Sequence, residues 1–299
     1  MQKDVTYLAD SRTMCELSDN SIDLIVTSPP YWNIKDYGTK EQIGFSQDLL
    51  EYLHDLNKVF SECARVLKNG RYICINIGDR FLKTDSKRKI RNQVIPLHAE
   101  IINMFMSMEF DYIGTILWHK LNNKNTSGGG SIMGSYPYPV NGVLEINYEH
   151  ILIFRKHGEP EKINDNNIKE SSKLSLEEWK QYFNSIWNVQ PEKQNSHIAM
   201  FPVEIPKRLI KMYSYVNEIV LDPFAGSGTT LLAAKSTGRH YIGYEINPDY
   251  ISIIKNKVGD LFGEVKVIKR DKQCKEAAYN QRYVPNITSK KFKNDNIKT

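Results

Sequence analysis

The sequence predicts an α/β protein with a mainly parallel sheet and helices on both faces. Short apolar runs rich in β-branched residues alternate with segments whose apolar residues recur at helical spacing. A parallel strand needs a long crossover, usually a helix, so this alternation is typical of parallel sheets. With 40% hydrophobic residues, the 299-residue chain can bury one large core or two small ones.

Six segments of the first half support this assignment. Two are amphipathic and predict helices, at 47–70, which ends at a glycine, and at 98–109. The others are short and apolar, and each predicts a buried strand. These strand segments are 21–28, 71–78, 112–120 and 148–156.

The segment EIVLDPFAGSGTTLLAAKSTGRHYIGYEIN, at 218–247, predicts a strand, a glycine turn, a helix and a further strand. Asp222 ends the first strand, and Gly226 and Gly228 allow the backbone to approach a ligand at the carboxyl edge of the sheet. Glu245 ends the second strand, where a carboxylate can accept hydrogen bonds from ribose hydroxyls. The segment therefore predicts a nucleotide-like ligand.

Two common nucleotide ligands do not fit this turn. A phosphate-binding Walker loop needs lysine after its last glycine, where this chain has Thr229. A dinucleotide turn needs a third glycine, where this chain has Leu231. ATP and NAD are therefore disfavoured, and an ordinary strand-to-helix turn remains the simpler alternative.

A second motif, TSPPYW at 27–32, follows the first predicted strand. Its two prolines have no N–H and a fixed φ, so they stiffen the strand end and leave carbonyls free to accept hydrogen bonds. The Ser28 hydroxyl and the Pro29 carbonyl could together accept both hydrogens of a nucleobase amine, which would make its nitrogen pyramidal and nucleophilic. Such a base must be flipped out of a duplex, and Tyr31 could stack on it. Alternatively, the motif is a turn with core aromatics.

Composition narrows the class of protein. No apolar run approaches the roughly 20 residues of a membrane span, and the N-terminus lacks the pattern of a signal peptide, so a cytoplasmic location is expected. Cys15, Cys63, Cys74 and Cys274 show no CxxC spacing and no cluster with the seven histidines. Reduced thiols and no metal site are expected.

Positive charge is concentrated in two segments. Residues 264–299 carry ten basic and four acidic side chains, and residues 83–91 carry five basic and one acidic. Such segments attract phosphate backbones without reading sequence, although solvated loops and disordered termini have similar compositions.

The two motifs together resemble those of the DNA amino-methyltransferases, over about residues 5–258. TSPPYW resembles their catalytic motif, and DPFAGSGTT at 222–230 resembles their S-adenosylmethionine motif. The order of the motifs resembles that of the permuted beta group. The resemblance implies a Rossmann-like methyltransferase fold with a small target-recognition insertion.

The resemblance also implies roles for individual residues. Without the motif context, Phe201, Phe224 and Trp118 would as readily be core aromatics. The expected catalytic residues are Ser28, Pro29, Pro30 and Tyr31. Those expected to bind S-adenosylmethionine are Asp10, His197, Phe201, Pro202, Glu204, Asp222, Phe224, Ala225, Gly226, Ser227, Gly228 and Glu245. Those expected to line the base pocket are Trp32, Trp118 and Lys120.

Four regions are expected. Residues 1–156 form the catalytic half of the core, with a basic loop at 80–95, and residues 188–263 form the cofactor half. Residues 157–187 are expected to recognise the target sequence, helped by the basic loop and by the glycine-rich loop at 126–142. Residues 264–299 form a basic tail.

The expected function is site-specific methylation of double-stranded DNA. In the resembling family, serine before the two prolines usually accompanies methylation of cytosine N4, and aspartate that of adenine N6. Ser28 therefore favours cytosine N4, with adenine N6 as the alternative. A restriction-modification system, with a cognate endonuclease, and a monomer or homodimer are expected. A non-catalytic nucleic-acid-binding protein is the alternative from another class.

Overall fold

A computed structural model describes residues 1–33, 36–82, 92–120, 140, 144–190, 202–270, 274 and 279–286. Its helices are α1 (Leu49–Val66), α2 (Leu97–Met106), α3 (Asn166–Ser171), α4 (Leu176–Tyr182), α5 (Glu204–Tyr213), α6 (Thr229–Ser236) and α7 (Pro248–Phe262). Its strands are β1 (Val5–Leu8), β2 (Ile22–Thr27), β3 (Leu67–Ile77), β4 (Arg80–Leu82), β5 (Gln93–Ile95), β6 (Phe110–His119), β7 (Tyr148–Lys156), β8 (Ile186–Asn188), β9 (Ile219–Asp222), β10 (His240–Glu245) and β11 (Lys266–Lys269).

Nine of these strands form one twisted sheet in the order β11-β1-β10-β9-β2-β3-β7-β6-β8. Every neighbouring pair is parallel except the two that involve β7, which is antiparallel to β3 and to β6. The carboxyl ends of all strands but β7 therefore meet at one edge of the sheet, where β7 begins. The predicted α/β fold with a mainly parallel sheet is confirmed.

Local sequence explains where the helices begin. Asp48 and Glu51 form a capping box at the start of α1, in which each side chain accepts a backbone N–H of the other residue. Asn247 caps α7, and Pro248 takes the first helical position, where its missing N–H costs nothing.

Helices cover both faces of the sheet. Helices α1 and α2 contribute to one buried cluster, through side chains such as Phe60 and Phe105. Helices α5, α6 and α7 contribute to another, through Leu209, Leu231 and Ile254. Strand β2 is buried along its whole length because it lies in the middle of the sheet. Within the described residues, no helix is long and apolar enough to cross a membrane.

The structure corrects the interpretation of residues 264–299 as a tail. Strand β11 pairs in parallel with β1 at the edge of the sheet. Arg270 forms an ion pair with Glu16, and the buried Tyr283 hydroxyl donates to Glu100. The first part of this segment is therefore integral to the fold.

The cysteines also differ from expectation. Cys63 and Cys74 are free and buried, as expected of core thiols. Cys15 and Cys274 are instead bonded to each other, with their Cα atoms 6.2 Å apart. Because the two cysteines are 259 residues apart in the sequence, their proximity could not be predicted from it.

The expected target-recognition segment, 157–187, begins at the amino edge of the sheet. Glu161 pairs with Lys68 at the start of β3, and Ser172 accepts the backbone N–H of Val216 before β9. The segment then passes along α5, where Glu178 pairs with Lys211, and reaches β8, which pairs with the last residues of β6. Its first part therefore lies at the edge opposite the carboxyl ends of the strands. The two ends of the basic loop form β4 and β5, which pair with each other, and its residues 83–91 lie outside the described residues. Apart from Val140, the glycine-rich loop also lies outside them.

Candidate active site

The two sequence motifs meet at the carboxyl edge because β2 and β9 are neighbours in the sheet. The Thr27 hydroxyl, at the end of β2, donates to Asp222 Oδ1, at the end of β9, over 2.6 Å. Asp222 also accepts the backbone N–H of Phe224 at 3.0 Å. The hydrogen bond between Thr27 and Asp222, which are 195 residues apart in the sequence, therefore connects the strand before Ser28 to the start of the glycine turn.

Asp222 is buried, with only 2% of its surface exposed. Burial raises the pKa of its carboxyl to about 6, against the hydrogen bonds from Thr27 and from the Phe224 N–H that lower it. Its described hydrogen bonds come from the end of β2 and from the turn itself. Asp222 is therefore placed to fix the shape of the turn.

The two glycines of the turn have different surroundings. Both have positive φ, +51° at Gly226 and +80° at Gly228. Among the described residues, a Cβ on Gly226 would meet no atom closer than 3.9 Å, whereas one on Gly228 would meet Ile254 at 3.2 Å. Gly226 therefore borders open space, and Gly228 allows α6 to pack on α7.

Glu245, at the end of β10, faces the same turn. Its two oxygens accept the backbone N–H groups of Gly226 and Asn247, each at 2.8 Å. Burial raises the pKa of the Glu245 carboxyl to about 7, against the lowering effect of these bonds. Each oxygen keeps a lone pair that could accept a ligand hydroxyl.

A glycine on strand β10 takes over the packing role of the third glycine that the turn lacks. Leu231 occupies its position on α6, and Gly243 lies opposite on β10. A Cβ on Gly243 would lie 2.9 Å from Leu231 Cδ1. Close contact between helix and strand is thus obtained with the glycine on the strand.

The half-buried Tyr31 is held by polar groups from three strands. Its hydroxyl donates to Glu149 Oε2, on β7, at 2.8 Å. Asn76, on β3, donates to the same oxygen at 2.7 Å, and Lys120, after β6, donates to Oε1 at 2.5 Å. Burial raises the pKa of Tyr31 well above its usual range, and the charge of Glu149 adds to this effect.

Sequence reasoning missed Asn76 and Glu149. Each is a polar residue within or beside an apolar strand segment, and this was the available signal. Their partners lie between 29 and 118 residues away, so their shared site was not visible in the sequence.

Two residues expected in the base pocket lie in the core instead. Trp32 has no exposed surface, and its indole N–H donates to the Gln47 carbonyl at 3.0 Å. Trp118 is 3% exposed and donates to the Val189 carbonyl at 2.9 Å. Lys120 points into the network around Tyr31, and its Nζ also lies 5.1 Å from the centroid of the Trp118 ring.

The remaining motif residues are distributed around this edge. Asp10 follows β1, beside Glu245, and forms an ion pair with Arg12. Pro202 is buried just before α5, and Glu204 begins α5 with an ion pair to Arg208.

The other residues of the glycine turn are packed into the protein. Phe224 packs against the core, and the Ala225 N–H donates to the Tyr244 carbonyl. Ser227 is buried beside Thr229. His197 and Phe201 lie outside the described residues.

Asp79, His98 and His150 form a polar cluster near the end of β3. Their potential ligand atoms lie within 4.8 Å of one another. His98 Nδ1 lies 2.8 Å from both Asp79 oxygens, and its ring stacks on that of His150 with centroids 3.9 Å apart. The geometry is that of a hydrogen-bonded carboxylate and imidazole pair.

Comparison with known protein families and proteins identifies the family. A family described as DNA methylase matches residues 22–256, which include both motifs and most of the chain. The chain belongs to this DNA methylase family. The methylase is 36% identical over 283 residues to the Type II methyltransferase M.MjaI of Methanocaldococcus jannaschii, covering 84% of this chain and 89% of that protein.

Other relatives and solved structures agree. The Type II methyltransferase M.MthZI of Methanothermobacter thermautotrophicus is 33% identical, covering 85% of this chain and 76% of that protein. A candidate DNA modification methylase of Thermus thermophilus, solved with S-adenosyl-L-methionine, superimposes with a TM-score of 0.73 and 31% identity, over 90% of this chain and 99% of that one. The cytosine-N4-specific PvuII DNA methyltransferase shares the fold, with a TM-score of 0.59 and 19% identity, over 86% and 88% of the chains.

Proposed function

We propose that this methylase transfers a methyl group from S-adenosyl-L-methionine to the exocyclic amine of a base flipped out of double-stranded DNA. The observation that carries the proposal is the hydrogen bond between Thr27 and Asp222. It holds the residue before Ser28 against the residue that opens the glycine turn. An amine bound at Ser28 would therefore face a methyl donor bound at the turn.

The glycine turn fits the adenosine part of the cofactor. Gly226 borders open space, and Glu245 offers two carboxylate oxygens within the same turn. We assign Glu245 to the ribose hydroxyls, and Gly226 to the close approach of the backbone. By resemblance, His197, Phe201, Pro202 and Glu204 would close over the methionine part. When bound, S-adenosyl-L-methionine supplies an electrophilic methyl group.

The Ser28 motif fits a planar amine. The Tyr52 hydroxyl donates to the Pro30 carbonyl at 3.0 Å, which anchors the motif. Within the part of the chain that the structure describes, no hydrogen bond occupies the Pro29 carbonyl, which can accept from the amine. Ser28 Oγ would accept the other amine hydrogen and turn the nitrogen lone pair towards the methyl group. The ring of Tyr31, fixed through its hydroxyl, would stack on the base.

Cytosine N4 is the proposed amine, and adenine N6 is the alternative. Support comes from Ser28, because serine at this position usually accompanies cytosine methylation in the family that the motifs resemble. The order of the two motifs supports assignment to the permuted beta group. The Type II names of M.MjaI and M.MthZI support a restriction-modification context, with an endonuclease acting on the same site.

Transfer of labelled methyl groups to defined duplex DNA, followed by mass spectrometry of the nucleosides, tests the proposal. We expect N4-methylcytosine. N6-methyladenine without N4-methylcytosine would refute the cytosine assignment, and binding of DNA and cofactor without transfer would support a binding protein instead.

Replacement of Ser28 tests the acceptor role directly. Ser28→Ala should bind the cofactor normally and lose most of its turnover, by on the order of 2 kcal/mol or more of transition-state stabilisation. Calorimetry and single-turnover kinetics measure the two quantities. A fully active Ser28→Ala protein would show that Ser28 does not hold the amine.

A further inference from the structure

The segment that follows the TSPPYW motif, residues 36–47, is hydrogen-bonded to the end of that motif. We call this segment the strap. The Asn33 N–H donates to the Gly44 carbonyl at 2.9 Å, and the Trp32 indole N–H donates to the Gln47 carbonyl at 3.0 Å. The strap and the catalytic motif are therefore in direct contact.

The strap also has hydrogen bonds of its own. Gln42 Oε1 accepts the Tyr37 N–H at 2.6 Å, and Gln47 Oε1 accepts the Gly44 N–H at 2.7 Å. Two glutamine side chains thus fix the local backbone. Contacts with the rest of the protein can therefore hold the strap as one unit.

Asn247 connects the strap to the carboxylate assigned to the ribose. Its backbone N–H donates to Glu245 Oε1 at 2.8 Å, and its side-chain Nδ2 donates to the Tyr37 carbonyl at 2.5 Å. Its Oδ1 accepts the Asp249 N–H and so caps α7. Asn247 is only 5% exposed, so water competes little for these bonds. One asparagine therefore joins Glu245, the start of α7 and the strap.

Arg12 holds the strap at a second point. Its guanidinium donates to the Glu41 carbonyl at 3.0 Å, and to the carboxylates of Asp10 and Asp55 at 2.6 and 2.7 Å. Arg12 lies after β1, whereas Asn247 lies after the neighbouring strand, β10. The strap follows β2, and β9 lies between β2 and β10. To reach both anchors, the chain must therefore cross the carboxyl ends of β9 and β10.

We propose that the strap closes the cofactor site, and that Asn247 and Arg12 are the positioning residues that hold it there. The glycine turn follows β9 and Glu245 ends β10, so the strap crosses the groups assigned to the adenosine part of S-adenosyl-L-methionine. The inference rests on the proposed function, because the ligand that the strap encloses is its methyl donor. A cofactor bound at the turn leaves when the strap moves away, so the two anchors set its dissociation rate.

The nature of the anchors suits a segment that opens and closes. Both are hydrogen bonds from a side chain to a backbone carbonyl, at Tyr37 and at Glu41. Such bonds contribute modestly to stability and can break without unfolding of the core. The bonds to Trp32 and Asn33 lie at the other side of the strap, so it can open at its anchors and stay attached to the motif.

Asn247→Ser separates the anchor from the helix cap. Serine is as good an N-cap as asparagine, so the start of α7 is kept, but it has no amide group to reach the Tyr37 carbonyl. Asn57→Ser is the matched control. Asn57 is 2% exposed, and its Nδ2 also donates to a backbone carbonyl, that of Asn280.

Arg12→Lys tests the second anchor. Lysine keeps a positive charge beside Asp10, but its single ammonium group lacks the planar fork of donors that reaches Asp10, Asp55 and the Glu41 carbonyl together. Each full-length protein is studied by calorimetry and by stopped-flow displacement of S-adenosyl-L-methionine. Hydrogen-exchange mass spectrometry then follows residues 36–47 with and without the cofactor.

Closure by the strap predicts a specific pattern. In Asn247→Ser and in Arg12→Lys the cofactor should dissociate about 5- to 10-fold faster, the range expected for loss of one hydrogen bond, and its association rate should change less. The cofactor should slow hydrogen exchange in the strap of the wild-type and Asn57→Ser proteins, and slow it less in the two anchor variants. In methyl transfer, the KM for the cofactor should change more than the rate at saturating cofactor.

Other outcomes would overturn the closure. Wild-type dissociation rates in both anchor variants would exclude it. Faster dissociation would also exclude it if the cofactor left exchange in the wild-type strap unchanged, because the variants would then act through Glu245 and Asp10 alone. The proposed function fails separately, if the cofactor protects the strap but the protein transfers no methyl group to any DNA. Methyl transfer without protection of the strap would leave the proposed function and exclude the closure.

Discussion

At the scale of single residues, Glu245 combines a structural and a ligand-binding requirement. Its carboxyl is desolvated at the bottom of the glycine turn, which raises its pKa from 4.5 to about 7. The folded protein therefore binds this proton more tightly than the unfolded chain does. As pH rises from about 4.5 to 7, ionisation of Glu245 lowers the free energy of unfolding.

Glu245→Gln separates the two requirements. A neutral amide avoids the cost of ionisation, so the variant should lose less stability than the wild type between pH 5 and pH 8. Urea titrations at both pH values measure this. S-Adenosyl-L-methionine should bind at least tenfold more weakly at pH 8, because one ribose acceptor is lost, and calorimetry would detect the change. Unchanged affinity would argue against the ribose contact.

The motifs predicted where residues lie along the chain and the sheet, but not which way their side chains point. The sequence indicated which residues cluster at the carboxyl edge, since strand ends and turns are visible in its pattern. It did not indicate that Trp32 and Trp118 point into the core, because orientation depends on neighbouring strands. Glu149 was missed for the same reason, as its partners come from distant parts of the chain.

At the scale of elements, the glycine turn can be tested with a matched pair. Gly226 and Gly238 both have positive φ, +51° and +75°, and in the described part of the chain a Cβ on either would meet no atom closer than 3.7 Å. Gly226→Ala and Gly238→Ala should each lower the free energy of unfolding by about 1 kcal/mol, from left-handed strain. Only Gly226→Ala should weaken cofactor binding, measured by calorimetry. Equal cofactor affinities in the two variants would contradict our assignment of Gly226.

The packing of α6 on β10 gives a second prediction. Gly243→Ala would place a methyl group 2.9 Å from Leu231 and should cost about 1–3 kcal/mol of stability. Adding Leu231→Ala should relieve this clash, so the double variant should lose less stability than the sum of the single changes. Chemical denaturation of the four proteins gives the coupling energy. Strict additivity would mean that the contact between helix and strand is not tight.

At the scale of the whole molecule, the basic C-terminal segment divides into two parts. Residues 264–286 include β11 and buried contacts, and residues 287–299 add four lysines and one aspartate. If these lysines contact phosphates, truncation after Asn286 should flatten the salt dependence of DNA binding and leave stability unchanged. Truncation after Gly263 should instead destabilise the fold. An unchanged salt slope would remove the last 13 residues from the DNA interface.

The fold class could be predicted because strand and helix patterns are local and strong. The order of the strands could not, since β1 takes its two neighbours from the last quarter of the described chain. The short strands β8 and β11 carried too few residues for a periodic pattern. The path of the first part of 157–187 along the amino edge was equally invisible, because its contacts with Lys68 and Val216 join distant parts of the chain.

The position of β1 affects how the protein is made on the ribosome. β1 precedes the other described strands along the chain, yet its neighbours in the sheet, β10 and β11, follow more than 230 residues later. At translation rates of about 5–20 residues per second, this strand waits roughly 10–50 s for a partner. Throughout that interval its apolar side chains and unpaired backbone groups are available to chaperones or to other nascent chains. A chain released before β10 is made would lack Glu245, and with it the carboxylate that we assign to the ribose of the cofactor.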